Sequence, residues 1–450
     1  MSQPAGKRAL PTAASRDSEA LRDSRGVTLR GVAVLAPGYE RAGGPGSHAR
    51  ALARGLTRLG VPVTYLCPAP EPRPARLRET LGLIDLYRIP LPAAGLGGEA
   101  LRLDLFELAA LGILRLNARR LNLIYAVRPD LGALAARAGQ ALGIPVVIKL
   151  ASSGPWGEVQ SIGRDPDRDR LLAGLRGAVR IVAPREQVAR EVRERLGVAP
   201  DLVARLPDGV DLAKFKPRPW SASLPPRVVF LGPLDGDSRL EVALEAFAAA
   251  SEDPEAPAGL ELIVAGDGPR RGAFEEVARS LGISGRTRFV GTEGDPVELL
   301  RDARVFVQPG PLGPGDAVLE ALATGVAVVA ADLPGTDELI DHDRTGLLTS
   351  PDDPAALAAA ILRALGDDAL HQRLVESAQR QAEDYELERC AAQHVELFEA
   401  LAVARDERPT QPEPAVDLKR DAPLALATAR AGLHTARSAL GRLAGRLAGR

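Results

Sequence analysis

Short unbroken apolar runs alternate with segments of helical period along most of this chain, and the alternation occurs twice. The first series of runs is GVAVLAP (31–37), VPVTYLC (61–67), LNLIYAV (121–127), IPVVIKLA (144–151) and RIVAP (180–184). Each is short, apolar on both faces and bounded by turn residues, as a strand buried in a parallel sheet must be. Between them lie helical stretches: residues 47–59, with Ala49, Leu52, Ala53, Leu56 and Leu59 on one stripe, then LGALAARAGQAL (131–142), then a helix through Leu196. The alternation breaks at 205–226, which is dense in proline and has no long periodic segment. It resumes with RVVFLG (227–232), LELIVAG (260–266), RFVG (288–291), RVFVQP (304–309) and VAVVAAD (326–332), with helices near 239–250, 270–282, 315–324 and 353–366.

Two such series predict an α/β chain of two Rossmann-like, doubly wound parallel-sheet domains facing a cleft between them. The expected division is a disordered lead at 1–26, an N-terminal domain at 27–215 and a C-terminal domain at 227–385. A closing helix at 386–405 and a Pro-rich linker with a basic tail at 406–450 complete it. The 450 residues are ample for two cores of this size.

Composition removes several classes of function. With 57 basic and 59 acidic residues the net charge is −2, so no nucleic-acid partner is expected. Cys67 and Cys390 have no metal-ligand spacing and argue against a disulfide framework. His48, His342 and His371 form no metal or triad pattern, so no metal is expected. No segment reaches the ~18 uninterrupted apolar residues of a spanning helix, and residues 1–26 hold no signal-like apolar core. A cytoplasmic location is the expectation. Residues 422–450 carry five arginines and no acid, with Leu426, Leu433, Leu440 and Leu447 recurring every seven. They read either as a solvated tail, weakened as a helix by four glycines, or as a basic amphipathic helix. The second reading would bring a peripheral contact with the inner membrane surface or a helix partner.

Four places bear on chemistry. Gly43-Gly44-Pro45-Gly46 lies between a predicted strand and helix, where backbone N–H groups and the helix dipole can receive a phosphate. Gly44-x-Gly46-x-x-Ala49 meets the relaxed dinucleotide pattern, but 63–67 lacks the acid a nicotinamide dinucleotide needs for its ribose. Gly266-Asp267-Gly268-Pro269 closes a strand and opens a helix; it is either an ordinary turn or a second ligand loop. Glu320 lies in DAVLEALATG, a helix apolar almost all round, where a carboxylate must reach solvent or accept hydrogen bonds from a polar ligand such as a ribose. Lys149 ends a predicted strand and is either a surface lysine or a cleft-facing cation, and thus the one candidate catalytic residue.

Taken in order, these motifs resemble the retaining, nucleotide-sugar-dependent family-four glycosyltransferases of the two-Rossmann (GT-B) fold. The resemblance runs over roughly 27–405: the GGPG loop with HARALARGLTRLGVPVTYL, then LPDGVDLAKFKP, the GDGP turn, FVGTEGD, GPGDAVLEALATGVAVVAADLPGTDELI and RTGLLTSPDDPAALAAAI. It implies transfer of a sugar from a nucleoside-diphosphate sugar to a hydroxyl acceptor with anomeric retention, in glycan or glycolipid synthesis. No other cofactor is implied. It also implies that Glu320 binds the donor ribose, that Gly315, Asp316 and Ala317 meet the sugar or phosphates, and that Gly43 and Gly44 face the phosphate from the opposite wall. Gly268 would belong to the same donor site.

The family grips the diphosphate with an Arg and a Lys after the first strand of the second domain. Those positions are Pro233 and Ser238 here, and the first of the family's two glutamates falls on Leu312. Losing two charge-assisted hydrogen bonds would cost about 3–6 kcal/mol, or ~10²–10⁴ in binding or rate. Lys149, Arg239 or Arg270 would then have to compensate. The alternative is a catalytically impaired, glycosyltransferase-like binding or assembly protein.

Overall fold

The computed structural model describes residues 29–39, 44–70, 77–92, 98–154, 157–218, 226–292, 294–311 and 317–406. The first sheet is built from β1 (Val32–Leu35), β2 (Val63–Pro68), β3 (Arg78–Leu81), β4 (Ile84–Ile89), β5 (Leu123–Val127), β6 (Val146–Lys149), β7 (Arg180–Ala183) and β8 (Val203–Arg205). Its helices are α1 (Gly44–Arg58), α2 (Gly98–Asn117), α3 (Pro129–Leu142), α4 (Glu158–Arg164), α5 (Arg168–Gly177) and α6 (Glu186–Leu196). The strand order is β3-β4-β2-β1-β5-β6-β7-β8, and every pair is parallel except the β3–β4 hairpin at one edge.

The second sheet contains β9 (Arg227–Leu231), β10 (Glu261–Ala265), β11 (Thr287–Gly291), β12 (Val305–Gln308), β13 (Ala327–Ala331) and β14 (Leu347–Thr349). Helices α7 (Leu240–Glu252), α8 (Arg271–Ser280), α9 (Pro296–Arg301), α10 (Ala317–Thr324), α11 (Pro354–Gly366) and α12 (Asp368–Ala382) accompany it, and α13 (Leu387–Asp406) follows. The order is β11-β10-β9-β12-β13-β14, all parallel.

Both sheets are thus doubly wound. The chain leaves β1 toward β2 and returns on its other side at β5; it leaves β9 toward β10 and returns at β12. Such reversals splay the loops at the carboxyl strand ends and open a crevice there. The central strands are sealed on both faces, with Val32, Ala33, Val34 and Leu35 wholly buried, which is why they read as continuous apolar runs.

Among the described residues, ten of the fourteen strands fall on the ten expected runs. The β3–β4 hairpin, β8, β14 and helices α2, α4, α5, α9 and α12 were not anticipated. Val210 and Phe215, just before the linker, are buried with the apolar side chains of the second sheet. Helix α13 turns back across the first domain and adds Ala391, Phe398 and Ala402 to the core under α1. The Phe398 ring lies 5.7 Å from that of Tyr125, and burying a side chain of this size stabilises by about 2–3 kcal/mol. The chain therefore crosses between domains twice. The two crossings are hydrogen-bonded to each other: the Val210 N–H donates to Tyr385 O at 2.7 Å and the Leu387 N–H to Val210 O at 3.0 Å. The lead and the tail lie outside the described residues.

Candidate functional site

The crevice of the second sheet lies between β9 and β12, so the loops after those strands form its rim. The loop after β9 is held by its own aspartate: Asp235 Oδ1 accepts the N–H groups of Asp237 and Ser238, each at 3.0 Å, and Ser238 Oγ donates to Asp235 O at 2.8 Å. The loop after β10 lies directly against it, with the Leu234 N–H donating to Asp267 O and the Arg270 N–H to Leu234 O. That approach requires glycine. A Cβ on Gly268 would stand 2.4 Å from Leu234 O, and one on Gly266, at φ +143°, would stand 1.8 Å from Gly232 O. The GDGP turn therefore brings two loops together, a packing role for Gly268 in addition to the expected place in a donor site. This rim carries two acids, Asp235 and Asp237. Burial and the neighbouring Asp235 push the Asp237 carboxyl up, while Arg164 of α4, from the first domain, pulls it down.

Glu320 sits in the first turn of α10, on the helix that follows β12. It lines an interdomain pocket with Ser47, Arg50 and Arg54 of α1 and with Lys214 and Phe215 of the linker. Its carboxylate accepts no hydrogen bond from any described residue. Burial pushes its pKa up to about 7, against the opposing pull of Lys214 and Arg50. A half-buried carboxylate left without donors is the state a ligand's hydroxyl groups would relieve.

Lys149 is not at the surface. It is 1% exposed, and its ammonium pairs with Asp208 of the linker. Asp208 Oδ1 also lies 2.7 Å from His48 Nδ1 on α1. Burial opposes ionisation of Asp208, but His48 and Lys149 together hold its carboxyl far below the ordinary carboxylate range. Burial also lowers the His48 pKa, while the adjoining Asp208 carboxylate pulls it up. Lys149 is thus committed to a buried ion pair that joins β6, α1 and the linker. The surface-lysine alternative therefore does not apply, and the Lys149 ammonium is engaged inside the first domain.

The other expected compensating cations are also engaged. Arg239, at φ +50° where a glycine would sit with less strain, pairs with Asp352. Arg270 pairs with Glu241 at 2.6 Å and stacks on Phe274. A donor phosphate at Arg239 would have to compete with this exposed ion pair. Gly44 and Ala317 begin α1 and α10, as their motifs imply. Gly43, Leu312, Gly315 and Asp316 lie outside the described residues.

The sequence offered no sign of His48, Asp208, Arg50 or Lys214 as members of these clusters, nor of Glu338. The Glu338 carboxylate reaches across the domains and accepts the first N–H groups of α6, from Glu186 at 2.7 Å and from Gln187 at 2.9 Å. A carboxylate at a helix N-terminus is favoured by the dipole and satisfies otherwise orphaned donors. Among the described residues no group of three or more His, Cys, Asp or Glu side chains could hold a metal ion, and no helix is long and apolar enough to cross a membrane.

Two family models match the chain, one on each domain: Glycosyltransferase Family 4 over residues 42–214 and Glycosyl transferases group 1 over 225–367. A D-inositol 3-phosphate glycosyltransferase of Salinispora tropica is 28% identical over 404 residues, covering 82% of this chain and 83% of that protein. Several other curated relatives match over only 24% to 54% of their own length. Among solved structures, sucrose-phosphate synthase from Thermosynechococcus elongatus superposes with a TM-score of 0.69 at 22% identity, covering 83% of this chain and 99% of that one. Anabaena HepE in complex with UDP-glucose gives 0.64 at 17% identity, with 82% and 99% covered. With one family model on each domain, in this order, and with this architecture, the chain belongs to the glycosyltransferases of the GT-B fold.

Proposed function

We propose that the interdomain cleft binds a nucleoside-diphosphate sugar and transfers its sugar to a hydroxyl acceptor. The observation that carries this reading is Glu320, a half-buried carboxylate facing an interdomain pocket with no donor from the described residues. Two vicinal ribose hydroxyls would supply the missing donors. A neighbour of the same fold was crystallised with UDP-glucose, which supports a donor of that class.

In the reaction the bond from the sugar's anomeric carbon to the diphosphate oxygen breaks, and a bond to the acceptor oxygen forms. The acceptor's proton leaves, and the departing diphosphate gains charge that must be stabilised where it develops. The N-termini of α1 and α10 both open on the cleft side of their sheets and would add backbone donors and positive dipole. Glu338 on the N-terminus of α6 would hold the domains closed around the donor and keep water out. Anomeric retention follows the family resemblance.

The test is calorimetric titration with UDP, ADP and GDP. Binding of one of them, weakened about tenfold or more by Glu320→Ala, is the expected result, as one lost charge-assisted hydrogen bond implies. A wild-type chain that binds none of the three would overturn the reading and favour the non-catalytic alternative.

A further inference from the structure

The diphosphate grip is missing from its usual loop, yet the pocket around Glu320 is not short of positive charge. Its acids and bases can be paired off. Asp211 Oδ2 accepts from Arg54 at 3.0 Å and from Arg58 at 2.8 Å, and Arg58 also reaches Glu388 at 3.0 Å. Those four groups neutralise one another. Two cations are left over. Arg50 donates to the Tyr39 carbonyl at 2.5 Å but has no carboxylate at ion-pair distance among the described residues. The Lys214 ammonium lies 5.0 Å from the centre of the Phe215 ring and likewise has no carboxylate partner among them. Among the described residues, the acids facing these cations are Glu320, which neither reaches, and Asp295, near enough to push the Glu320 pKa up. Among the described residues, the pocket therefore combines two positive charges without a carboxylate partner, one carboxylate without a donor and the Ser47 hydroxyl.

That combination is complementary to a ligand carrying phosphate next to vicinal hydroxyls. The rim after β9, by contrast, has Pro233 and Ser238 at the positions matched to the family's cations and Asp235 and Asp237 between them, and would repel a diphosphate. Lys149, Arg239 and Arg270 are each tied to an acid. We propose that Arg50 and Lys214 hold the phosphate charge of the donor beside Glu320, so that the grip has moved from the second domain to α1 and the interdomain linker. This rests on the reading of the pocket as a nucleoside-diphosphate site. A grip supplied by the first domain and the linker, with Glu320 supplied by the second, assembles only when both walls are together. Donor binding would then itself draw the domains closed.

The test uses the full chain and two probes, UDP and uridine, or the ADP or GDP pair if one of those binds. Arg50→Gln and Lys214→Gln should each weaken the diphosphate about 10-fold or more and the double variant about 100-fold, from the usual strength of a charge-assisted hydrogen bond. The nucleoside without phosphates should bind each variant within twofold of wild type. Arg50→Lys should keep most of the affinity, which separates lost charge from the lost Tyr39 contact, and thermal melts exclude misfolding. Arg279→Gln, which removes a charge on the exposed face of α8, should change nothing. A double variant that binds the diphosphate as wild type does, while Glu320→Ala does not, would overturn the relocated grip and leave the proposed function standing. Failure of the wild type to bind any of the three diphosphates would overturn both.

Discussion

At the carboxyl ends of the first sheet, Lys149, Asp208 and His48 lie out of water and neutralise one another. At the same ends of the second sheet, Glu320 stands half-buried with no donor from the described residues. The two sheets share a topology and differ in how the polar groups at their open ends are satisfied. A polar cluster whose charges and hydrogen bonds close on themselves is scaffold. One with an acceptor and two cations left over has been kept for something that arrives later.

Breaking the closed cluster should have the largest effect. Asp208→Ala leaves Lys149 buried without its counter-charge and should cost about 3–5 kcal/mol, read as a shift in the urea midpoint. Replacing both partners, Lys149→Met with Asp208→Leu, should recover most of that loss. If Asp208→Ala melts like wild type, the cluster is not the tie between linker and first domain described above.

Glu320 gives a smaller effect of opposite sign. Its pKa is raised to about 7, above the ~4.3 of an unfolded glutamate, so the folded chain retains a proton that the unfolded chain has released. The stability this contributes is whole below about pH 4 and is lost as the pH rises through 7. Glu320→Gln should therefore stabilise the free chain by about 1–2 kcal/mol at pH 8 and by little at pH 4, while weakening the nucleoside diphosphate. A melting temperature that shifts equally at both pH values would show that the carboxylate is better solvated than its position implies. In the wild type, donor affinity should fall as the pH drops from 8 to 6, because protonation removes an acceptor.

The smallest effect belongs to the contact between domains. Glu338→Ala uncaps α6 and should cost about 1 kcal/mol, with the Glu186 and Gln187 amides exchanging faster with deuterium. Amides that stay protected would mean that another group takes over the cap.

What could be read from the sequence follows the physics of burial. The parallel strands were legible because both of their faces are sealed, which leaves a run of apolar residues that nothing else resembles. The β3–β4 hairpin was not, because it is an edge where Arg78, Thr80 and Leu81 are largely exposed. Nor was α2, whose apolar residues are spread around its circumference, with Leu108 and Leu116 exposed, and so form no stripe. Of the site, Glu320 was legible as an acid in an apolar helix. The partners that decide between scaffold and ligand were not: Lys149, Asp208 and His48 come from three distant segments. A lone strand-end lysine looks the same in sequence whether it meets a substrate or an aspartate.

The return of α13 has a consequence for synthesis. Leu52 and Leu56 of α1 belong to the same buried cluster as Ala391, Phe398 and Ala402. These partners leave the ribosome only after the entire second domain has been made. The first domain thus emerges with an apolar flank uncovered and stays unfinished while its successor folds. Its final closure is a long-range event in a chain otherwise dominated by neighbouring βα units, and so falls on the slow side of folding. A nascent chain halted just before Leu387 would carry an open seam under α1, which a chaperone would recognise as unfinished protein.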